Sequence, residues 1–252
     1  INQYNLIWIK IMNLVIIIPT FKEEDNIKIL IEKINNQLKR VYIIIVDDSP
    51  ENNIKNIIKE FNNCKYIYRG KKLGRGSAVI LGMKEALKNF KECTIIEMDA
   101  DLSHDPEELK GKLKIFNENN CDLLISSRYM SGSKILNWSY KRKIFSFLSN
   151  KLAKFLLKVP ITDYTNGYRV YSSKAVKHVA ENCGKIGDGF IILSEILVEL
   201  YYNKFNLLEI TTVFKNRIRG ESSVNLKEII HSLFGLYKIY KLKKKLEKAW
   251  IL

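Results

Sequence analysis

Clustered metal-binding cysteines, a disulfide framework and a membrane-spanning run are all missing from this 252-residue chain. Its 4 cysteines, Cys64, Cys93, Cys121 and Cys183, are scattered and form no CxxC pair. None has a histidine near enough to complete a zinc motif. Without a disulfide framework, a reducing compartment is the expectation. No uninterrupted apolar stretch reaches the roughly 20 residues that cross a bilayer, so any membrane contact should be peripheral. There is no secretory signal pattern, internal repeat or low-complexity linker. Residues 1–12 read as a loose N-terminal extension, 13–226 as one domain, and 227–252 as a basic amphipathic helix.

Acidic residues are also in deficit: 27 Asp and Glu stand against 42 Lys and Arg, a formal net charge of +15. Such an excess suits an anionic partner, whether nucleic acid, a phosphorylated substrate or an anionic membrane, and suits equally a merely solvated lysine surface. Against nucleic acid stand the acidic clusters, because they would repel a phosphate backbone unless a metal intervened.

Those clusters are not random. Apolar β-branched runs at Leu14 to Ile18, Tyr42 to Val46, Thr94 to Met98 and Leu123 to Ser126 alternate with helix-periodic segments such as Glu24 to Leu38 and Ser77 to Leu87. The alternation predicts a doubly wound, mostly parallel α/β sheet. Ligands gather at the carboxyl ends of the strands in such sheets. Pro19-Thr20-Phe21-Lys22-Glu23, Asp47-Asp48 and Asp99-Ala100-Asp101 all fall there. Asp99 and Asp101 repel each other, and partial burial worsens the repulsion. A divalent cation carrying a diphosphate would relieve it, and hard carboxylate oxygens suit Mg²⁺ or Mn²⁺.

Other residues leave alternatives open. Asp47 and Asp48 either cap the next helix or accept from a nucleotide's base or ribose. The basic turn Lys71 to Ala78 either cradles phosphate or simply opens a helix, and it is no Walker A motif. His104 orders the DxD loop rather than binding a hard cation. Glu195 is a base or a paired structural residue. Arg128, Arg142, Arg169, Arg217 and Arg219 suit bidentate phosphate contacts or surface ion pairs. Tyr140 to Leu157 and Lys227 to Leu246 read as basic amphipathic helices, Phe190 to Tyr202 as an apolar helix, and Thr211 to Phe214 as a strand.

The segments VIIIPTFKEEDNI, IIIVDDSP, KKLGRGSAVILGMKEA, MDADLSHDPEEL, SSRYMSGSKILNWSYKRKIFS, ITDYTNGYRVY and RIRGESSVNLKEI together resemble the family-2 glycosyltransferases, in their dolichyl-phosphate (polyprenyl-phosphate) mannose synthase branch. The resemblance runs from about Leu14 to Tyr240. It implies a GT-A fold and an inverting dolichyl-phosphate β-D-mannosyltransferase. The donor would be GDP-mannose, the acceptor dolichyl or polyprenyl phosphate, the cofactor Mg²⁺ or Mn²⁺, and the product would serve protein glycosylation. A UDP-sugar donor is the nearest variant. By this resemblance Pro19, Phe21, Glu23 and Asp48 hold the nucleoside. Asp99, Ala100 and Asp101 meet metal and diphosphate, with Ser103 as a further ligand. Arg128 and Arg142 hold the acceptor phosphate, and Arg217 and Ser223 the donor diphosphate. Asp101, Arg128 and Arg142 would carry catalysis. The enzyme would work peripherally on the cytoplasmic face of a membrane, of the endoplasmic reticulum or of the cell, with a small anchoring subunit as a possible partner.

The chain departs from the pattern in three places. Glu51-Asn52-Asn53 replaces an expected Asp-Gly-Thr, Asn166 replaces a smaller residue, and Phe190-Ile191-Ile192 lacks the basic or polar diphosphate contact expected there.

Overall fold

A computed structural model describes residues 13–216 and 226–251. Seven strands form the main sheet: β1 (Asn13–Thr20), β2 (Tyr42–Asp47), β3 (Cys64–Tyr68), β4 (Cys93–Glu97), β5 (Leu123–Ser127), β7 (Arg169–Tyr171) and β8 (Leu207–Thr211). Their order is β3-β2-β1-β4-β7-β5-β8. All pairings are parallel except those of β7, which runs antiparallel to β4 and β5. A short side ribbon pairs β6 (Lys134–Leu136) with β9 (Val213–Lys215).

The apolar runs are continuous because both faces of the sheet are covered. Successive side chains point to opposite faces. Val15 and Ile17 join one buried cluster with Val79, Met83, Val176 and Leu193. Ile16 and Ile18 join the other with Ile27, Leu30, Ile31 and Phe116. On the first face lie α3 (Arg75–Asn89), α6 (Ser173–Asn182) and α7 (Ile191–Tyr202); on the second lie α1 (Glu24–Gln37), α2 (Ile54–Ile58) and α4 (Leu109–Glu118). Each fully buried Ile or Leu contributes roughly 1.5–3 kcal/mol.

The chain winds from β1 outward to β3, then returns to lay β4 on β1's other edge. The carboxyl ends of β1 and β4 therefore flank the point where the winding reverses, where a crevice opens.

Several elements differ from the sequence reading. The segment from Asp163 to Tyr171 ends in β7, and α6 follows it unforeseen. The strand expected at Thr211 to Phe214 is split at Thr212: its amide donates to Ser133 Oγ and its hydroxyl to Glu108. The helix expected from Pro106 starts as a 3-10 turn, Pro106–Glu108, capped by the Asp105 carboxylate. Tyr140–Leu157 is helix α5, its N-terminus capped by Ser139. The last helix, α8 (Leu226–Ile251), packs against α7 and α5. Its Leu236 and Ile239 enter the first core, while Leu233, Phe234 and Tyr237 are exposed.

Candidate active site

The crevice is lined by Asp99, Asp101 and Ser103 together with Arg128, Trp138, Arg142, Phe214 and Asn216, and with Thr165, Asn166 and Phe190. Three of the residues singled out from the DxD segment and both arginines assigned to the acceptor thus share one cleft.

The acidic segment is held by its neighbours. The Asp99 amide donates to His104 Nδ1 at 3.0 Å, so that nitrogen carries no proton. His104 Nε2 lies 2.9 Å from Asn166 Oδ1, and Asn166 Nδ2 donates to the Ser126 carbonyl. The chain of donors fixes His104 as the neutral Nε2–H tautomer. Burial pushes its pKa down, and Asp99 and Asp101 oppose that shift. His104 therefore orders the loop, and the unexpected Asn166 is its acceptor. Asp101 Oδ1 accepts the Ser103 amide at 3.1 Å.

The Arg128 guanidinium grips Asp163 through Nε and Nη2, both at 2.8 Å, and reaches Thr165 with Nη2 at 2.7 Å. Burial alone would raise the Asp163 pKa, but Arg128 and the surrounding amides hold it below the ordinary carboxylate range. Arg128 sits beside the edge-on pair of Trp138 and Phe214 rings, 5.5 and 5.2 Å from their centroids. Arg142 stacks on Trp138 at 4.0 Å and donates to Asn216 at 3.0 Å. One arginine is thus locked by a carboxylate, and the other, on the first turn of α5, leans on an aromatic face.

The nucleoside group is more dispersed. Pro19 lies in β1, Phe21 and Glu23 just beyond it, and Phe21 is exposed beneath the Lys72 ammonium, 5.2 Å away. Asp48 is buried and its oxygens are already engaged: Oδ1 takes Arg69, and Oδ2 takes the Leu73 and Gly74 amides at 2.8 and 3.0 Å. It pins the basic turn rather than reaching outward. Asp47 is likewise consumed, accepting from Thr20, Ser49 and Tyr66. Neither caps α2, whose N-cap is Asn53.

Arg169 is corrected from a phosphate contact: it is fully buried and donates to the carbonyls of Asn166, Leu193 and Tyr164. Glu195 is not in the cleft and accepts the Gly184 and Lys185 amides, so it is a structural residue. Arg217, Arg219 and Ser223 lie outside the described residues.

Arg75, Glu97, Trp138, Asp163 and Phe214 were not assigned from sequence. Glu97 carried the plainest signal, an acid inside a central apolar strand, which demands a buried partner. That partner is Arg75, at 2.5 Å.

A cleft lined by both carboxylates and guanidinium groups, at the switch point of a doubly wound sheet, is the layout of an α/β enzyme that handles a charged substrate. A family model described as Glycosyl transferase family 2 matches residues 15–180, and the chain belongs to that family. A polyprenol monophosphomannose synthase from Mycolicibacterium smegmatis is 29% identical over 224 residues, 87% of this chain and 83% of that protein. A dolichol-phosphate mannosyltransferase from Pyrococcus furiosus is 33% identical over 237 residues, 91% of this chain and 64% of the relative's own length. Among solved structures, glucosyl-3-phosphoglycerate synthase from Mycobacterium tuberculosis, in complex with Mn²⁺, UDP and phosphoglyceric acid, superposes with a TM-score of 0.66. At 14% identity, covering 91% of this chain and 78% of that one, the likeness is one of fold. The sheet is that of the GT-A glycosyltransferases.

Proposed function

We propose that this chain transfers mannose from GDP-mannose to a dolichyl or polyprenyl phosphate, with inversion at the sugar carbon. The observation that carries the reading is one cleft lined by Asp99 and Asp101 together with Arg128 and Arg142. The names of the two sequence relatives support the acceptor class.

The acidic segment suits a divalent cation. Ser103 Oγ is buried beside Asp101 with no hydrogen-bond partner among the described residues, an oxygen available as a ligand. No group of three His, Cys, Asp or Glu side chains able to hold a metal occurs among the described residues. Two carboxylates plus substrate phosphates are what Mg²⁺ commonly uses, and Mn²⁺ accepts the same oxygens. Asp99, Asp101 and Ser103 would hold the ion, which when bound neutralises charge on the departing diphosphate.

The acceptor needs little activation. A phosphate monoester is already largely ionised at neutral pH. Its oxygen attacks the sugar carbon, the bond to the GDP oxygen breaks, and GDP leaves with that electron pair. Arg128 and Arg142 each supply a positive charge beside the Trp138 ring, whose Nε1–H has no acceptor among the described residues. Positioning and charge stabilisation then carry the rate, with no general base assigned. Pro19, Phe21 and Glu23 would face the nucleoside, and Asp48 would serve it by holding the turn at Leu73-Gly74.

Donor choice is read by thermal unfolding. GDP with Mn²⁺ should raise Tm through linkage, and UDP should raise it much less. Equal protection by UDP would move the assignment to a uridine-linked sugar.

Arg142→Ala should raise the KM for polyprenyl phosphate roughly ten- to hundredfold, the scale of a lost charge-assisted hydrogen bond, and leave GDP binding unchanged. Calorimetry that found the loss in GDP affinity instead would overturn the assignment.

A polyprenyl tail requires work at a bilayer surface. No described helix is long and apolar enough to cross a membrane. Helix α5 nevertheless exposes Tyr140, Ile144, Leu148 and Phe155, the last at 78%, and its own lysines lie along it. An apolar face edged by lysines is the pattern of an interfacial helix on anionic lipid. Phe147 is a poorer probe, because its ring packs edge-on against Tyr129. Phe155→Asp should therefore weaken co-sedimentation with anionic vesicles and spare GDP binding. If the wild type ignores bare vesicles altogether, attachment passes to a small membrane-anchored partner.

A further inference from the structure

The first turn of α3 delivers one side chain beneath the DxD segment by tight packing. Gly74 has a left-handed φ of 98°, and an added Cβ there would meet the Asp188 carbonyl at 2.5 Å. The Gly76 amide donates to that same carbonyl at 2.7 Å. With the turn fixed this way, the Arg75 guanidinium reaches under the DxD segment. Its Nε donates to Asp99 Oδ1 at 2.7 Å and its Nη1 to Glu97 Oε1 at 2.5 Å. Nη2 lies 2.7 Å from the same Asp99 oxygen but lacks hydrogen-bond geometry there. Glu97 is fully buried, and its other oxygen takes the Tyr171 hydroxyl at 2.6 Å. Burial opposes the charge on Arg75, but Asp99 and Glu97 together keep the guanidinium firmly protonated. The Phe190 ring, 5.4 Å from the guanidinium carbon, covers its remaining side. Room for the group exists because residue 167 is glycine: a Cβ there would stand 1.9 Å from Arg75 Nη2.

We propose that Arg75 is a built-in counter-cation for the DxD pair, which suppresses divalent-metal binding until a nucleoside diphosphate arrives. The proposal rests on reading Asp99 and Asp101 as metal-holding residues. With Arg75 on Oδ1, part of the Asp99 charge is offset, so a bare cation gains less there. A diphosphate changes that balance, because it brings the oxygens that complete the cation's shell while Arg75 stays on Asp99. Arg75 also supplies, from α3, the positive charge that Phe190-Ile191-Ile192 lacks. A purely structural Arg75–Glu97 pair would affect the stability of the fold and leave metal affinity alone. A counter-cation at Asp99 must affect metal affinity.

The test is Mn²⁺ binding to the full chain, followed by calorimetry with and without GDP. Arg75→Gln combined with Glu97→Gln removes cation and buried anchor together, so neither charge is stranded. This variant removes the cation that touches Asp99 and the anion on that cation's far side, so the nearer charge decides the sign and Mn²⁺ should bind without nucleotide about a few-fold more tightly than to wild type. The increase in Mn²⁺ affinity produced by GDP should shrink accordingly. Gly167→Ala keeps every charge and removes only the room, so it should move nucleotide-free affinity in the same direction even if the double variant folds poorly. Equal nucleotide-free Mn²⁺ affinity in wild type and a folded variant, with GDP-dependent binding intact, would overturn the counter-cation alone. Absence of Mn²⁺ binding even with GDP would instead overturn the metal reading beneath it.

Discussion

Asp101→Asn is expected to leave the protein folded and nearly abolish transfer, with product formation falling at least about a thousandfold. The substitution removes charge at the DxD segment while keeping size and hydrogen-bonding capacity. Arg75 pairs with Glu97 and Asp99, and this substitution keeps both of those contacts. The Ser103 amide can still donate to the asparagine carbonyl oxygen where it now meets Asp101 Oδ1. Tm should therefore move by only a few degrees, while a discontinuous transfer assay reads almost nothing. Wild-type turnover by this variant in EDTA-treated buffer would end the metal reading.

Asp163→Ala should have the largest effect on stability. Its carboxylate accepts from Arg128 three times, through the backbone amide at 2.9 Å and two guanidinium nitrogens, and also from the Thr165 and Asn166 amides. Removing one member of a buried pair strands the other charge, at a cost of about 3–5 kcal/mol. Urea unfolding should show that loss as a lower midpoint. Arg128→Met together with Asp163→Leu should recover much of it while remaining inactive, because apolar replacement removes the stranded charge and the phosphate contact together. A loss below about 1 kcal/mol in the single variant would contradict this picture. The same pair sets an acid limit. Asp163 titrates lower in the folded chain than its unfolded value near 4, so its contribution is complete above about pH 4. It should be lost as pH falls below that, through the folded pKa.

These two carboxylates illustrate what the sequence discloses and what it hides. Asp101 is legible because the strand before it is an apolar run, and an acid pair directly after such a run sits on the rim of the sheet. Asp163 gives no such sign. Its partner is 35 residues away, and only the antiparallel insertion of β7 between β4 and β5 brings the two together. A three-residue strand has too little periodicity to be seen, and its place is decided by the edges of two others. Asp48 shows a related limit. Position at a strand end correctly places it on the rim, but the Leu73 and Gly74 amides arrive from another crossover and take its carboxylate. Arg75 looked like one basic residue among several in a glycine-punctuated turn. Its direction depends on the close seating of Gly74 and Gly76 on Asp188, a long-range contact with no local trace.

The Lys243-Lys244-Lys245 run in α8 is not one continuous basic face. Lys243 is buried and paired with Glu247 at 2.9 Å, so the helix divides its charges between core and solvent. The long apolar stretch of α7 is covered by α8 on one side, which explains why a segment so apolar belongs to the interior.

The central claim is tested most directly by product formation. Purified protein is incubated with Mn²⁺, a short polyprenyl phosphate, and either radiolabelled GDP-mannose or radiolabelled UDP-glucose, and label is counted in the organic phase. The account predicts lipid-soluble mannose from GDP-mannose, dependent on both the metal and the acceptor, with little glucose transferred. Label from UDP-glucose alone, or no lipid-soluble label from either donor with an acceptor that demonstrably reaches the protein, would contradict it.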